Sequence, residues 1–482
     1  MKKISFLIGI LLCSFSAFTQ NSVDVLRYSQ TYNGGSARFM SMGGAFGALG
    51  ADFSVLSTNP AGIGVFKKSI FTASPSVFVS NSKTTTGDWA VIGHKSNFNM
   101  NNYGFVIVQR MNDGKPGWKG VQFGMGVNRL NNFNKEFNVE FHNNKNSLIT
   151  DYQNQAYGSY PNQLDPFTTD LAWKTYLFKD TVRVNNGVLA YTSALNKGGT
   201  KQTENVLRWG SVNEMVFSVG GSYNDKIYIG GTVGFPFARF FEKVQHKEYD
   251  DADTIKDFDS FTMNRYLETH GNGVNFKIGV IVRPISLLRL GFSFESPTWY
   301  NMHDYFYNDM VQVYDDGTKS DLAKSPNGDF DYDIVTPMKL NGSAALIFGR
   351  FMIVSAEVQY LDYSSGYLDS HSYTFSEENA DVKKKYRDAV NVRAGVELRM
   401  RPMAFRVGAA YFGNPYQEGV NENIRYQVSG GLGYRDRDFY FDLAYIYSVD
   451  TEDYYMYDPV FVEASSVRND IHKVVMTIGM KF

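Results

Sequence analysis

The side chains that most often carry chemistry are spread too thinly in this chain to build a reaction centre. Seven histidines, His94, His142, His246, His270, His303, His371 and His472, form no spaced pair that would ligate a haem or a metal from two sides. Asp250-Asp251-Ala252-Asp253 lacks the glycine and the distal glutamate of a calcium loop. No Gly-x-Ser-x-Gly elbow presents a serine to a base. Gly43-Gly44-Ala45-Phe46-Gly47 follows no alternating strand, so a nucleotide-binding loop lacks its context. No metal, cofactor or catalytic role is expected. What remains is charge that can hold an anion. Arg393, Glu397 and Arg399, on one face of an alternating run, either receive a carboxylate head or pair with one another or with a neighbouring segment. Lys383-Lys384-Lys385 with Arg387 either meets lipid head groups or forms a solvated turn. The 47 Lys and Arg against 49 Asp and Glu leave no basic footprint, and no nucleic-acid partner is expected.

The elements that position these groups are strands. Val121, Phe123, Met125 and Val127 alternate with Gln122, Gly124, Gly126 and Asn128; Leu288, Leu290, Phe292 and Phe294 alternate with Arg289, Gly291, Ser293 and Glu295. A period of two puts successive side chains on opposite faces. The closing residues do the same, with Val474, Met476, Ile478, Met480 and Phe482 on one face and Lys473, Val475, Thr477, Gly479 and Lys481 on the other. A soluble sandwich and a membrane barrel share this alternation. Many runs of about ten or more residues match the tilted crossing of a bilayer better than the shorter strands of soluble sheets. With 16% aromatics, 44 glycines and a mean hydropathy of −0.30, the reading is a transmembrane antiparallel β-barrel of roughly 12 to 18 strands. Tyr445, Tyr447, Tyr454, Tyr455 and Tyr457 gather where an interfacial girdle would lie.

Export is written at the start. Met1-Lys2-Lys3, an apolar run over 4–12, and Ala17 and Thr19 two apart read as a signal peptide over 1–19, and the only cysteine, Cys13, lies inside it. No later apolar run approaches the roughly 18 residues of a spanning helix. Residues 20–68 do not alternate; they are Gly-dense and carry Phe39, Met40, Met42, Phe46, Leu49 and Phe53. Such residues suit a compact plug, with Asp52 capping a short helix over 51–58, better than a flexible linker. The barrel is expected over 69–482, with a long loop insertion near 143–208.

At Gly43 to Gly50, at Ala51-Asp52-Phe53-Ser54 and above all at Asn59-Pro60-Ala61-Gly62, the chain resembles the FadL-type outer-membrane transporters of long-chain fatty acids and other hydrophobic compounds, some of which import aromatic hydrocarbons. Weaker likeness comes from Asn391-Val392-Arg393-Ala394-Gly395-Val396-Glu397, from Gly430-Gly431-Leu432-Gly433-Tyr434 and from the terminal Phe482, which is similar to the signal shown to the barrel insertion machinery. The resemblance implies a 14-stranded barrel in the outer membrane of a Gram-negative bacterium, a hatch inside the lumen, and passive uptake with sideways release through a gap in the wall. Gly124 and Gly126 either permit a kink for that gap or make room for the plug.

The long loop holds Tyr157, Tyr160, Phe167, Trp173, Tyr176 and Phe178. These form either a capture surface for a hydrophobic ligand or a self-packed lid. The expected function is passive transport of fatty acids or other hydrophobic compounds, with outer-membrane lipid around the wall. A general porin has no need of a Met- and Phe-rich plug. A receptor driven by the inner membrane needs a larger plug and a barrel of about 22 strands.

Overall fold

Residues that alternate along the sequence alternate between the two faces of one closed sheet. The computed structural model describes residues 22–111, 116–184, 187–421, 423 and 425–482, so the signal peptide expected over 1–19 lies outside the described residues. Fourteen antiparallel strands close into a barrel. They begin with β1 (Ile70–Thr86), β2 (Trp89–Arg110), β3 (Trp118–Asn132, resuming as Lys135–Asn143), β4 (Thr200–Tyr223), β5 (Ile227–Tyr249) and β6 (Ser260–Val282). Next come β7 (Leu288–Glu295, resuming as Trp299–Val313), β8 (Gly328–Val335, resuming as Lys339–Phe348), β9 (Met352–Asp362) and β10 (Asp388–Met400). The set ends with β11 (Met403–Phe412), β12 (Arg425–Arg435), β13 (Phe439–Tyr454) and β14 (Ser465–Lys481). β14 returns to β1 in register from Ile70↔Lys481 to Thr85↔Ser466, which closes the sheet.

The outward face carries an apolar band. Ile278, Phe292 and Phe98 are 62%, 51% and 70% exposed, values that would mark faults in a soluble protein and that lipid would cover. On β5 the outward series Ile227, Ile229, Val233, Phe235 and Phe237 contains no charge before Arg239. A charge near the bilayer centre costs about 2–4 kcal/mol on such a face. Strand lengths are unequal: β9, β11 and β12 have 11, 10 and 11 residues, close to one tilted crossing, whereas β4, β5 and β6 have 24, 23 and 23. The long strands therefore rise past the band on one side. That side carries the long connection over 144–199, and the other carries tight turns such as 224–226 and 401–402.

Inside the raised wall Phe137, Ile149, Leu171, Phe178, Phe261 and Met310 form one buried core with the helices α3 (Leu148–Gln155) and α4 (Thr169–Lys174) of the long connection. Two expectations change here. Tyr454 and Tyr457 do not join a girdle: consecutive burial of Ser448 and Val449 shifts the alternation of β13, and the two hydroxyls turn inward to Glu204 and Gln202. Lys383, Lys384 and Lys385 end a helix, Ser376–Lys385, anchored by the buried Val382, rather than forming a turn.

Candidate functional site

The N-terminal segment lies within the barrel and is held by short, well-capped turns. Helix α1 (Ser22–Ser29) leads to α2 (Ala37–Ser41), whose N-cap Ser36 accepts from Phe39 N and donates to Asp52 at 2.6 Å. Asp52 caps a 3₁₀ turn, Phe53–Ser57, by accepting from Ser54 N at 3.0 Å. Asn59 caps a second, Pro60–Val65, by accepting from Ala61 N, and proline suits the first position because no donor is lost there. Ala61 packs against Tyr228 and Ile281 of the wall, and Gly62 O accepts from Ala51 N.

Two kinds of contact tie this plug to the wall. Over β2 to β6 Phe53, Leu56, Ile63 and Phe66 pack with Val106 and Val216, and Asn102 and Asn128 donate to Ser54 and Ser57. Over β8 to β14 Phe39, Met40 and Met42 pack with Ala345, Ala444 and Val475, and ion pairs are added. Arg38 donates to Glu397 at 2.9 and 3.3 Å, and Glu397 also accepts from Arg399 and Arg406, each at 2.6 Å. Arg406 continues to Asp442 at 2.8 Å. Glu357 accepts from Arg393 at 2.9 Å and from the plug's Gly47 N at 2.8 Å. Arg393, Glu397 and Arg399 thus pair with one another's neighbours and with the plug rather than standing ready for a ligand. The fit is close: a Cβ on Gly279 would lie 1.9 Å from Asn59 Oδ1, and one on Gly64 would lie 2.5 Å from Gly221 O.

Beside the plug the wall has a seam. The β2–β3 ladder runs from Arg110↔Gly120 to Asn102↔Asn128 and ends there. β3 then shifts register at Arg129/Asn131, breaks at Phe133-Asn134 and resumes along β4. Past the end of the ladder, β2 meets β3 through scattered bonds: Arg129 Nε to Met100 O at 3.2 Å and Asn138 Nδ2 to Ile92 O at 3.0 Å. Gly124 and Gly126 sit below it in unbroken pairing, opposite Val106 and Gly104. Added Cβ atoms there would lie 2.9 Å from Ile63 and Leu56, and 2.6 Å from Phe53, so both glycines face the plug.

A cavity of ≈ 170 Å³ adjoins the break. Its apolar lining includes Leu26, Phe78, Phe133, Phe240 and Ile471. Its cations Arg27, Lys135, Arg208 and Arg425 face Asp24, Glu452, Glu242 and Asp450, the last two pairs at 2.5 and 3.9 Å. Lys473, inward on β14, has no carboxylate partner among the described residues and lies 5.9 Å from the Phe78 ring. Arg425 Nε and Asn132 Nδ2, both in the lining, are buried donors without a partner among the described residues. The cavity therefore offers oily walls and unspent donors at one end.

The raised wall holds a second buried cluster, beyond the apolar band. His246, 1% exposed, contacts Glu204 at 3.1 Å through Nδ1 and Glu248 at 3.2 Å through Nε2. Glu248 in turn accepts from Ser147 Oγ, Leu148 N and Thr200 Oγ1, so it anchors the start of α3. Burial alone would lower the His246 pKa, but hydrogen bonds to Glu204 and Glu248 outweigh it and raise the value to about 9. The aromatic loop residues divide between two environments. Phe178 is buried and stacks on Tyr191, Trp173 meets the same ring, and Phe167 packs on Phe306; Tyr157, Tyr160 and Tyr176 are exposed. Phe482 is exposed, with its N–H on Ser69 O. No cluster of three or more His, Cys, Asp or Glu side chains suited to a metal occurs among the described residues.

Several of these residues were not singled out by sequence reasoning. Arg38 and Glu357 had no local signal: Glu397 lies 359 residues from Arg38, and Arg393 and Gly47 lie 36 and 310 residues from Glu357. Lys473 had one: on the inward face of its strand it is flanked by the uncharged Ile471, Val475 and Thr477, and the next charge on that face is Lys481 at the strand's end.

No protein-family model matches the sequence, and no curated protein matches it. The folded chain is similar to the crystal structure of a FadL homologue from Pseudomonas aeruginosa, at 13% identity and a TM-score of 0.57 over 94% of this chain and 99% of that one. It is similar also to the toluene transporter TodX of Pseudomonas putida, at 13% identity and a TM-score of 0.53 over 94% of this chain and all of that one. A plugged fourteen-stranded barrel that superposes on both along nearly its whole length has the fold of the FadL-type outer-membrane transporters.

Proposed function

We propose that this protein carries hydrophobic molecules across the outer membrane of a Gram-negative cell, and that its ligands bear an anionic head, as fatty acids do. The observation that carries the reading is the meeting of an amphipathic cavity with a seam in the wall. A ligand gathered at the loop surface around Tyr157, Tyr160 and Tyr176 enters the lumen, rests with its head near Lys473, and leaves sideways between β2 and β3 into lipid. Partitioning supplies the drive, at roughly 0.8 kcal/mol for each CH₂ that leaves water. The likeness to a FadL homologue and to a toluene transporter supports the hydrophobic class. Lys473 and its unpaired neighbours favour an acid over a neutral hydrocarbon, because a carboxylate would satisfy donors that toluene leaves bare.

The cavity is smaller than the roughly 300 Å³ at which drug-sized sites begin, so a long chain fits only when α1, which forms one wall through Leu26 and Arg27, gives way. The plug is thus a hatch in this reading, and Asn59-Pro60-Ala61-Gly62 is its hinge to the wall. Phe482 serves recognition by the barrel insertion machinery. Binding of radiolabelled oleate and of toluene to purified wild-type protein and to Lys473→Met tests the reading. Oleate binding should weaken roughly tenfold in the variant, as loss of one charge-assisted contact implies, with toluene unaffected. Conductance to sugars that saturates, with no oleate or toluene binding, would make the protein a porin.

A further inference from the structure

Just past the apolar band, the outward face of β5 changes character. After Phe235 and Phe237 come Arg239, Phe241 and Lys243. Arg239 and Lys243 are exposed and form no ion pair among the described residues. The carboxylate between them in sequence, Glu242, points to the other face and takes Arg208; Glu268, across on β6, contacts His270 at 2.6 Å. The two cations lie about 13 Å apart along the strand at ~3.3 Å per residue, with Glu268 opposite Phe241 between them.

Aromatic rings fill the space around them. Trp209 of β4 stacks on Phe241 with centroids 5.2 Å apart and planes 4° apart. Lys243 Nζ lies 5.9 Å from the Trp209 ring and 5.5 Å from that of Tyr266. Rings at the edge of an apolar band sit where acyl chains give way to head groups, and cations beside them at that level attract lipid phosphate. The patch is local. Further round the wall, Asp329 and Asp331 are 70% and 76% exposed around His303, so the face of β8 repels an anion. A ring of solvated lysines would show no such preference for one side of the barrel.

We propose that Arg239 and Lys243, flanking Phe241 beside Trp209, form a docking surface for the phosphate-bearing head group of an outer-leaflet glycolipid. The phosphate lies against the two cations, and the acyl chains run down the outward residues Phe237, Phe235 and Val233. The site is on the barrel's outside and is separate from the lumen cavity. It rests on the reading of the band as lipid-covered, which a heat-shifted gel band in detergent tests independently.

Detergent-solubilised protein would be titrated with bisphosphorylated lipid A and with the uncharged digalactosyl diacylglycerol, and bound lipid counted by native mass spectrometry. Wild type should retain lipid A in preference to the neutral glycolipid. Arg239→Gln/Lys243→Gln should weaken lipid A retention roughly thirtyfold, the effect of two surface cations on an anionic lipid, and leave the neutral lipid unchanged. Arg239→Lys/Lys243→Arg should restore it, and Lys383→Gln/Lys384→Gln should behave as wild type. Equal retention of lipid A by wild type and the double glutamine variant, or a loss that follows Lys383 and Lys384 instead, would overturn the proposal.

Discussion

The side-chain amide of Asn59 donates to the carbonyl of Gly47 at 2.7 Å, while its oxygen accepts from Ala61 N at 3.1 Å. One side chain, 1% exposed, thereby joins the small-residue run to the turn that follows it. Asn59→Ala leaves a buried acceptor and a buried donor unpaired, at about 1–3 kcal/mol each. Hydrogen exchange should speed up across residues 43–66 and stay unchanged in β9 to β14. Uniform exchange in both proteins would remove Asn59 from the clasp.

Gly279 faces the same side chain. Gly279→Ala should push Asn59 off the wall, because the new methyl would lie 1.9 Å from Asn59 Oδ1 and 3.3 Å from Ala61 N. The variant should still run as a heat-modifiable barrel, yet show larger single-channel conductance in planar bilayers as the plug shifts. Gly342→Ala, where nothing lies within 4 Å, is the matched control and should conduct like wild type.

Arg38 is the plug's ionic tether. Removing one member of a buried, hydrogen-bonded pair typically costs 3–5 kcal/mol, since the partner keeps its desolvation penalty. Glu397 retains Arg399 and Arg406, so Arg38→Met should cost less, about 1–3 kcal/mol, whereas Glu397→Ala strands several guanidinium groups and should reach the upper figure. Protease sensitivity of the plug should rank Glu397→Ala above Arg38→Met above wild type. Equal sensitivity in all three would mean that the contacts over β2 to β6 hold the plug without the ion pairs.

His246 predicts a pH response of the long connection. Its pKa is raised from an unfolded value of about 6.5 to about 9, so the charged ring binds Glu204 and Glu248 fully below pH ~6.5 and loses its grip as pH rises through ~9. Exchange protection of α3 and of its Ser147 cap should fall across that interval. His246→Gln should abolish the pH dependence; an unchanged slope in that variant would assign it elsewhere.

The wall could be read from residues alone, because lipid on one side and a packed lumen on the other impose a strict period of two. Val474, Ile478 and Met480 are exposed and Val475 and Thr477 buried, as the C-terminal alternation requires. The local caps were legible for a similar reason: Asp52 acts on a residue two positions away. The seam was not. Phe133-Asn134 carries no proline or glycine; only the asparagines mark the break, with Asn134 N donating to Asn132 Oδ1 at 3.1 Å, and that pattern is a common one inside strands as well as turns. Arg38 and Glu397 are 359 residues apart, and nothing in either neighbourhood names the other. Tyr454 and Tyr457 read as girdle residues until the irregularity at Ser448 and Val449 turns them inward.

The seam itself gives the most direct test of sideways release. Cysteines at Ile92 and Asn138, where the Asn138 amide reaches the Ile92 carbonyl across it, would be bridged in whole cells by a reducible bifunctional maleimide. With the bridge complete, oleate should still bind, but uptake should fall roughly tenfold or more, as blocking the single exit requires, and recover when the bridge is reduced. Uptake that continues at the wild-type rate with the seam fully bridged would contradict release between β2 and β3.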